Sequence, residues 1–289
     1  MQLGPSEFIL NADKSIYHLN LLPGDIADTI ITVGDPDRVW EVSKYFDFIE
    51  VEKHKREFRT HTGRLNNKRL TVISTGIGTD NIDIVMNELD ALVNMDFDNR
   101  TVKPEHTSLD IVRVGTSGSI QPDIPLDTFV LSELAIGFDN MLHFYDSEEI
   151  QHPDIQLAFI DHTKWSVFKS IPYVVRCSEE LAIRLRSDNV QPGFTATNVG
   201  FYGPQGRKLR LSREDNQLNK KISSFEFEGK RITNMEMETS AIYGLAALLG
   251  HRAVSMNCIL ANRSTGEFSL HPHKAVDELI QYVLDRLTR

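Results

Sequence analysis

Only two cysteines, Cys177 and Cys258, occur in 289 residues. Their number and spacing exclude a disulfide framework and a thiolate metal site, and their apolar neighbours suggest buried free thiols in a reducing compartment. Met1 to Asp13 carries no basic region followed by an apolar run, so no secretory signal is expected. No apolar stretch nears the roughly twenty residues that span a bilayer. Positive charge is also scarce, with 31 Lys and Arg against 41 Asp and Glu, a formal net charge of -10. That balance excludes a general nucleic-acid binder but allows a local basic pocket around a small anion. These absences together predict a cytoplasmic protein.

Missing motifs narrow the chemistry further. Neither G-x-G-x-x-G nor the phosphate-loop pattern occurs, which removes a dinucleotide oxidoreductase or an ATP site. No Ser-His-Asp or Cys-His set can be assembled from local signatures. His271-Pro272-His273 has no companion ligands elsewhere, so no metal site is expected there.

What is present reads as α/β. The composition, 40% hydrophobic and 25% charged, is ordinary for a globular chain. Ile30 to Val33 reads as a buried strand stopped by Gly34-Asp35-Pro36-Asp37, with a helix starting near Pro36 and capped by Asp35. Phe58 to Leu65 and Arg69 to Ser74 pair around Asn66-Asn67. Thr75-Gly76-Ile77-Gly78 breaks that strand and opens a helix from about Asn81 to Val93. Asp110 to Val114 is a strand ended by Gly115-Thr116-Ser117-Gly118. Thr128 to Ala135 and Arg252 to Ala261 are further strands, and Ala275 to Leu287 is an amphipathic terminal helix. The alternation predicts a single α/β domain over residues 1–289, its helices packed on a central sheet. Asn94 to Ser108 is polar and irregular and reads as a surface insertion.

Three strand ends carry small residues beside an arginine or hydroxyl: Gly34 to Arg38, Ser74 to Gly78 and Arg113 to Gly118. Glycines admit a ligand close to the backbone, helix-start N–H groups attract anions, and arginine adds a planar fork of donors. The three describe an oxyanion pocket at the carboxyl ends of strands; singly, each could be a plain connector. Phe201 to Arg207 offers aromatic rings, then a glutamine and an arginine two residues apart. Gln205 could match a pyrimidine edge and Arg207 could stabilise a departing base anion, or the segment could be an exposed turn. In Asn234-Met235-Glu236-Met237-Glu238-Thr239-Ser240-Ala241, two carboxylates sit where a strand or loop feeds an apolar helix. They could accept hydrogen bonds from a sugar diol, or serve as solvated or salt-bridged glutamates at a helix start.

In this order, and joined by Arg56-Glu57-Phe58 and Asn262-Arg263, the segments resemble the nucleoside phosphorylase superfamily, and within it the uridine phosphorylases. The resemblance runs from about Tyr17 to the last helix. It implies the family's fold, a central mixed twisted β-sheet flanked by helices, and the reversible conversion of uridine and phosphate to uracil and ribose 1-phosphate. By this resemblance Gly34, Arg38, Arg113 and Thr116 hold phosphate, with Arg56 supplied by a neighbouring subunit. Glu236, Met237 and Glu238 position the ribose, and His18 reaches its 5′-hydroxyl from a partner chain. Phe201 stacks on uracil, Gln205 and Arg207 bind its edge, and Arg263 supports Arg207. Gln205, Arg207 and Glu238 then carry the catalysis. The implied assembly is a homo-oligomer with shared active sites, a dimer or a trimer of dimers. Phosphate is a co-substrate, and no cofactor is implied.

Purine phosphorylases of the same fold place an aspartate near Asn262, where Asn262-Arg263 stands here, and the family's hydrolytic nucleosidases lack the phosphate arginines. Pyrimidine phosphorolysis is therefore preferred over a purine phosphorylase or a catalytically silent nucleoside binder. The family's intersubunit potassium site maps near Glu57 and Ile77, but Asn81 stands where a serine is expected, which weakens the case for the cation. Lys208-Leu209-Arg210 also departs from the family and leaves tolerance of deoxyuridine or thymidine open.

Overall fold

Thr29–Val33 (β1) is buried along its whole length, as a strand covered on both faces must be. The computed structural model in which it lies describes residues 2–289. Helix Pro36–Ser43 (α1) follows, with Asp35 Oδ1 accepting the Asp37 N–H at 2.9 Å as its cap. Strands Phe48–Lys55 (β2), Phe58–Leu65 (β3) and Lys68–Ser74 (β4) form a meander. Asn66 and Asn67 close the β3–β4 hairpin, with φ of 51° and 62°. Asparagine tolerates this left-handed region better than most residues, which is why the dipeptide marked the turn.

Helix Thr79–Asn94 (α2) leads into the segment read as irregular. It is instead a small hairpin, Met95–Asp96 (β5) against Thr101–Val102 (β6). Asp96 Oδ1 accepts the N–H groups of Asp98 and Asn99, an Asx turn that residue counting by polarity does not register. The hairpin is tied to the N-terminal segment through Leu3 N–H to Arg100 O and Lys14 to Asp98.

The strand expected to stop at Gly115 runs on as Asp110–Ser119 (β7). Its glycine-rich half is held by strand Arg252–Asn262 (β13), which pairs with it in register from Arg252↔Asp110 through Ile259↔Ser117. Neighbouring backbone thus overrides the local turn signal. Between these two lie Phe129–Gly137 (β8), Pro153–Thr163 (α3), Tyr173–Arg176 (β9), Glu179–Leu185 (α4), Val190–Thr197 (β10), Leu218–Ser223 (α5), Glu226–Phe227 (β11), Lys230–Glu236 (β12) and Thr239–Leu248 (α6). Glu267–Phe268 (β14) and the terminal helix Pro272–Thr288 (α7) complete the chain.

The main sheet runs β11-β12-β10-β8-β13-β7-β1-β4-β3-β2, with β9 on β8 and β14 on β13. It is mixed, as expected, but not simply open. β12 also pairs with β7 through Asn234↔Ser119 and Met235↔Gly118, so β7, β13, β8, β10 and β12 close into a ring. Periodicity along single strands carries no information about which distant strands meet, so this closure was invisible in the sequence.

The larger apolar core packs α2, α6 and α7 on the sheet around residues such as Leu89, Leu245 and Leu279, and a second gathers Phe138, Phe159, Phe194 and Phe225 near α3 and α5. The ring holds polar side chains: Ser132, Thr195, Asn234 and Asn257 are all fully buried. They satisfy one another, as buried polar groups must. Ser132 Oγ lies 2.6 Å from Thr195 Oγ1, which donates to Asn234 Oδ1 at 3.0 Å. Among the described residues no helix is long and apolar enough to cross a membrane.

Candidate active site

A cavity of about 640 Å³ opens where β1, β4, β7 and β12 end. Of the residues expected at phosphate, Gly34, Arg38, Arg113 and Thr116 line it; so do Glu236, Met237 and Glu238, and Phe201, Gln205 and Arg207. His18, Arg56 and Arg263 stand outside that lining.

Gly34 brings the end of β1 against the β4 loop: a Cβ there would lie 3.5 Å from the Gly76 carbonyl oxygen. Arg38 rises from the first turn of α1. Its Nε is buried without a hydrogen-bond partner, and the nearest acid, Glu41, is 3.9 Å away. Burial pulls this guanidinium below the usual arginine range, with Glu41 and Asp35 opposing. A cation so weakly paired is suited to receive an anion.

Arg113 is differently placed. It is buried and folds back over Gly115, where an added Cβ would come within 1.9 Å of its Nη1. Nη2 donates to Glu238 Oε2 at 2.6 Å and lies 3.2 Å from Glu236 Oε2, while Nη1 donates to Asn257 Oδ1 at 2.8 Å. One cation therefore faces two carboxylates, and the pairing holds its pKa above the usual arginine range despite burial.

The two glutamates divide the roles left open by the sequence. Glu236 Oε2 accepts the N–H groups of Glu238 and Thr239, each at 2.9 Å, so it caps α6; its Oε1 accepts the Thr197 hydroxyl at 2.6 Å. Glu238 Oε1 accepts only the Gly78 N–H, at 2.9 Å. Burial raises the Glu238 carboxyl above the usual carboxylate range; Arg113 opposes this and Glu236 adds to it. Neither glutamate is solvated.

The base loop is a partly exposed wall. Phe201 is half exposed and Gln205 is buried. Arg207 Nη1 donates to Phe201 O at 2.7 Å and to Gln205 Oε1 at 2.6 Å, and its guanidinium carbon lies 3.7 Å from the Phe201 ring centre. This cation–π stack covers one face of the ring expected to stack on a base. Burial, with Arg263 adding, pushes the Arg207 pKa down to about 10, so it remains a cation at neutral pH. Arg263 donates to the Gln205 carbonyl at 3.2 Å and so braces the loop that carries Arg207. Asn262 is outside the cavity lining, donating to Gln121 O and Ile124 O while accepting from Ser264 and Thr265.

His18 and Arg56 lie together at one aromatic ring. The Tyr17 ring centre is 4.8 Å from that of His18 and 5.9 Å from the Arg56 guanidinium carbon. Glu88 fixes the histidine, accepting the His18 and Leu19 N–H groups with a carboxylate oxygen 2.6 Å from His18 Nδ1. Glu57, Ile77 and Asn81 line the cavity.

Residue-by-residue reading missed Ser117 and Asn257. Arg113, Gly115 and Ser117 alternate along β7 and so share one face of the sheet, a signal that becomes readable only once the strand is known to continue. The one cluster of potential metal ligands among the described residues, Asp90, His106 and His251, contains no residue of the cavity lining. His251 Nδ1 accepts the Leu109 N–H, which leaves its ring proton on Nε2, 3.3 Å from Asp90 Oδ1. His251 Nε2 is nevertheless buried without a hydrogen-bond partner.

The model of the phosphorylase superfamily matches residues 28–288. A uridine phosphorylase of Thermococcus kodakarensis is 30% identical over 263 residues, covering 87% of this chain and 79% of the relative. A purine nucleoside phosphorylase DeoD-type of Brevibacillus brevis is 27% identical, over 93% of this chain and 97% of its own. Among solved structures, a Trypanosoma brucei nucleoside phosphorylase that shows uridine phosphorylase activity superposes with a TM-score of 0.87 at 28% identity, covering 97% of this chain and 99% of that one.

Proposed function

The chain belongs to the phosphorylase superfamily, and from that premise we propose that it catalyses the reversible phosphorolysis of uridine to uracil and ribose 1-phosphate. The observation that carries this reading is a single cavity lined by a weakly paired arginine, a buried carboxylate and a glutamine–arginine pair: Arg38, Glu238, and Gln205 with Arg207. Each group answers one need of the reaction. Gly34, Arg38, Arg113 and Thr116 hold phosphate beneath the anomeric carbon. Glu236, Met237 and Glu238 hold the ribose, with the Glu238 carboxylate accepting from its hydroxyls. Phe201 carries the base once Arg207 swings from its ring face to the uracil edge, beside Gln205.

As the glycosidic bond lengthens, the sugar gains oxocarbenium character and the base gains negative charge. Bound phosphate is the nucleophile, so positioning supplies much of the rate and no covalent enzyme intermediate forms. Arg207, once swung to the base edge, and Gln205 stabilise the departing uracil anion. The Gln205 and Arg207 pair suits alternating carbonyl and N–H groups, and Asn262, turned into its own loop, offers no acid to a purine.

The deciding experiment is release of free base from uridine, inosine and thymidine, with and without phosphate. Phosphate-dependent cleavage of uridine but not inosine is the expected result. Inosine cleavage would refute the base pocket, cleavage without phosphate would refute the arginines, and no cleavage would favour a silent binder.

Glu238→Gln should raise the nucleoside KM roughly 10- to 100-fold, the scale of a lost charged hydrogen bond, without raising the phosphate KM, since Arg113 is left with one carboxylate fewer. Because the Glu238 carboxyl titrates above the usual carboxylate range, the wild-type nucleoside KM should worsen on the acid side as that carboxyl takes up its proton. The Glu238→Gln protein should lack this limb, and equal loss of phosphate and nucleoside binding would argue against a sugar-specific role.

In this reading His18 and Arg56 serve a neighbouring subunit's cavity. Mixed oligomers of Arg56→Ala and Glu238→Ala chains should therefore regain activity through hybrid sites that neither parent possesses. Verified mixed oligomers without recovery would count against sharing.

A further inference from the structure

Arg113 reaches its carboxylates only because the residue two positions on is glycine. The guanidinium lies across Gly115, and the cross-strand partner of Gly115 on β13 is Asn257. Asn257 is fully buried, and its amide has one available orientation. Nδ2 donates to Ser255 Oγ at 3.1 Å and to Ser132 Oγ at 3.3 Å, leaving Oδ1 to accept Arg113 Nη1 at 2.8 Å. The two hydroxyls are held in turn, Ser255 Oγ by Thr239 Oγ1 at 2.9 Å and Ser132 Oγ by Thr195 Oγ1 at 2.6 Å. The interior of the strand ring thus ends, at the cavity, in a single fixed acceptor for the arginine.

We propose that Asn257 is the positioning residue for Arg113: it fixes the plane of the guanidinium without adding charge, so that the arginine can serve phosphate while paired with Glu238 and Glu236. This rests on the assignment of Arg113 to phosphate made above. Neutrality is the point of the asparagine. Arg113 already meets two carboxylates, at 2.6 and 3.2 Å, inside a buried site. A third carboxylate at Oδ1 distance would hold the cation back from phosphate and repel the incoming anion. An apolar side chain of equal size would leave Nη1 without its partner and the plane of the fork set by the carboxylates on Nη2 alone.

The test is phosphate and uridine KM for Asn257→Asp and Asn257→Ser, measured across pH beside wild type and Arg113→Lys, with thermal melts to verify folding. Asn257→Asp should raise the phosphate KM at least tenfold at neutral pH and the uridine KM much less. The deficit relative to wild type at the same pH should shrink in acid as the added carboxyl takes up a proton. Asn257→Ser, which removes the acceptor without adding charge, should show a smaller phosphate-selective loss that does not shrink in acid. Ser132→Ala, which loosens the amide without touching the arginine, should change phosphate KM in the same direction by a few-fold.

A phosphate KM within twofold of wild type in folded Asn257→Asp would overturn the proposal, as would equal phosphate and uridine losses at every pH, the signature of a merely structural residue. Should Asn257→Asp fail to fold, the Asn257→Ser and Ser132→Ala pair decides by the same phosphate-selective criterion. An unchanged phosphate KM in Arg113→Lys would instead strike at the assignment of the arginine itself, and the two failures are thereby told apart.

Discussion

Arg113→Ala should be the most damaging single substitution in the cavity, abolishing phosphorolysis and costing about 3–5 kcal/mol of stability at neutral pH, the scale for removing one partner of a buried ion pair. The change would leave Glu236 and Glu238 buried side by side with no cation between them. That loss is a large part of the roughly 5–15 kcal/mol by which a typical domain is folded.

The pH dependence has a definite sign. Without the arginine, burial and the neighbouring Glu236 charge raise the Glu238 carboxyl further above its unfolded value. An acid raised in the folded state binds more protons folded than unfolded, so its stability contribution is present below the unfolded carboxylate range and is lost as pH rises through the folded value. The thermal-midpoint deficit relative to wild type should therefore be smallest in acid and grow toward neutrality. Wild-type Glu238 already leans this way, its carboxyl raised by burial despite Arg113. Melting curves across pH check the prediction, and a deficit independent of pH would mean that the glutamates are not held as the geometry describes.

Arg207→Ala should lower kcat for uridine by about 10²–10³, the range for removing one preorganised donor from a developing anion, with a thermal midpoint close to wild type. The separation follows from its contacts: Arg207 donates to Phe201 and Gln205 within its own loop and braces no strand or helix. The chemistry adds a second readout. If the arginine stabilises the leaving base, the loss should shrink for a nucleoside whose base is intrinsically a better leaving group, such as 5-fluorouridine. Equal losses for both substrates would place Arg207 in binding rather than in bond cleavage, and unchanged turnover of uridine would remove it from the site altogether.

Local order in the chain set part of the elements and most of the cavity wall. The strands and helices expected from the sequence were legible because they depend on near neighbours: buried β-branched runs at Ile30 to Val33, proline and an aspartate cap at α1, paired asparagines between β3 and β4; β2 and the elements from α3 to α5 were not. The glycine-rich strand ends, the two glutamates and the Phe201 to Arg207 segment were legible because each brings its chemistry within a few consecutive residues. Contacts between distant segments settled the rest. Gly115 to Gly118 looked like a terminator and is strand, because β13 supplies cross-strand partners about 142 residues away in the chain, as at the Asn257↔Gly115 pair. The ring closure, the polar column inside it and the place of Asn257 depend on which strands meet, and no periodicity within a strand encodes that. The division of labour between Glu236 and Glu238 was undecidable for the same reason. Their partners, Thr197, Gly78 and Arg113, come from the end of β10, the start of α2 and the middle of β7, and it is those partners that tie Glu236 into the start of α6 and pair Glu238 with Arg113.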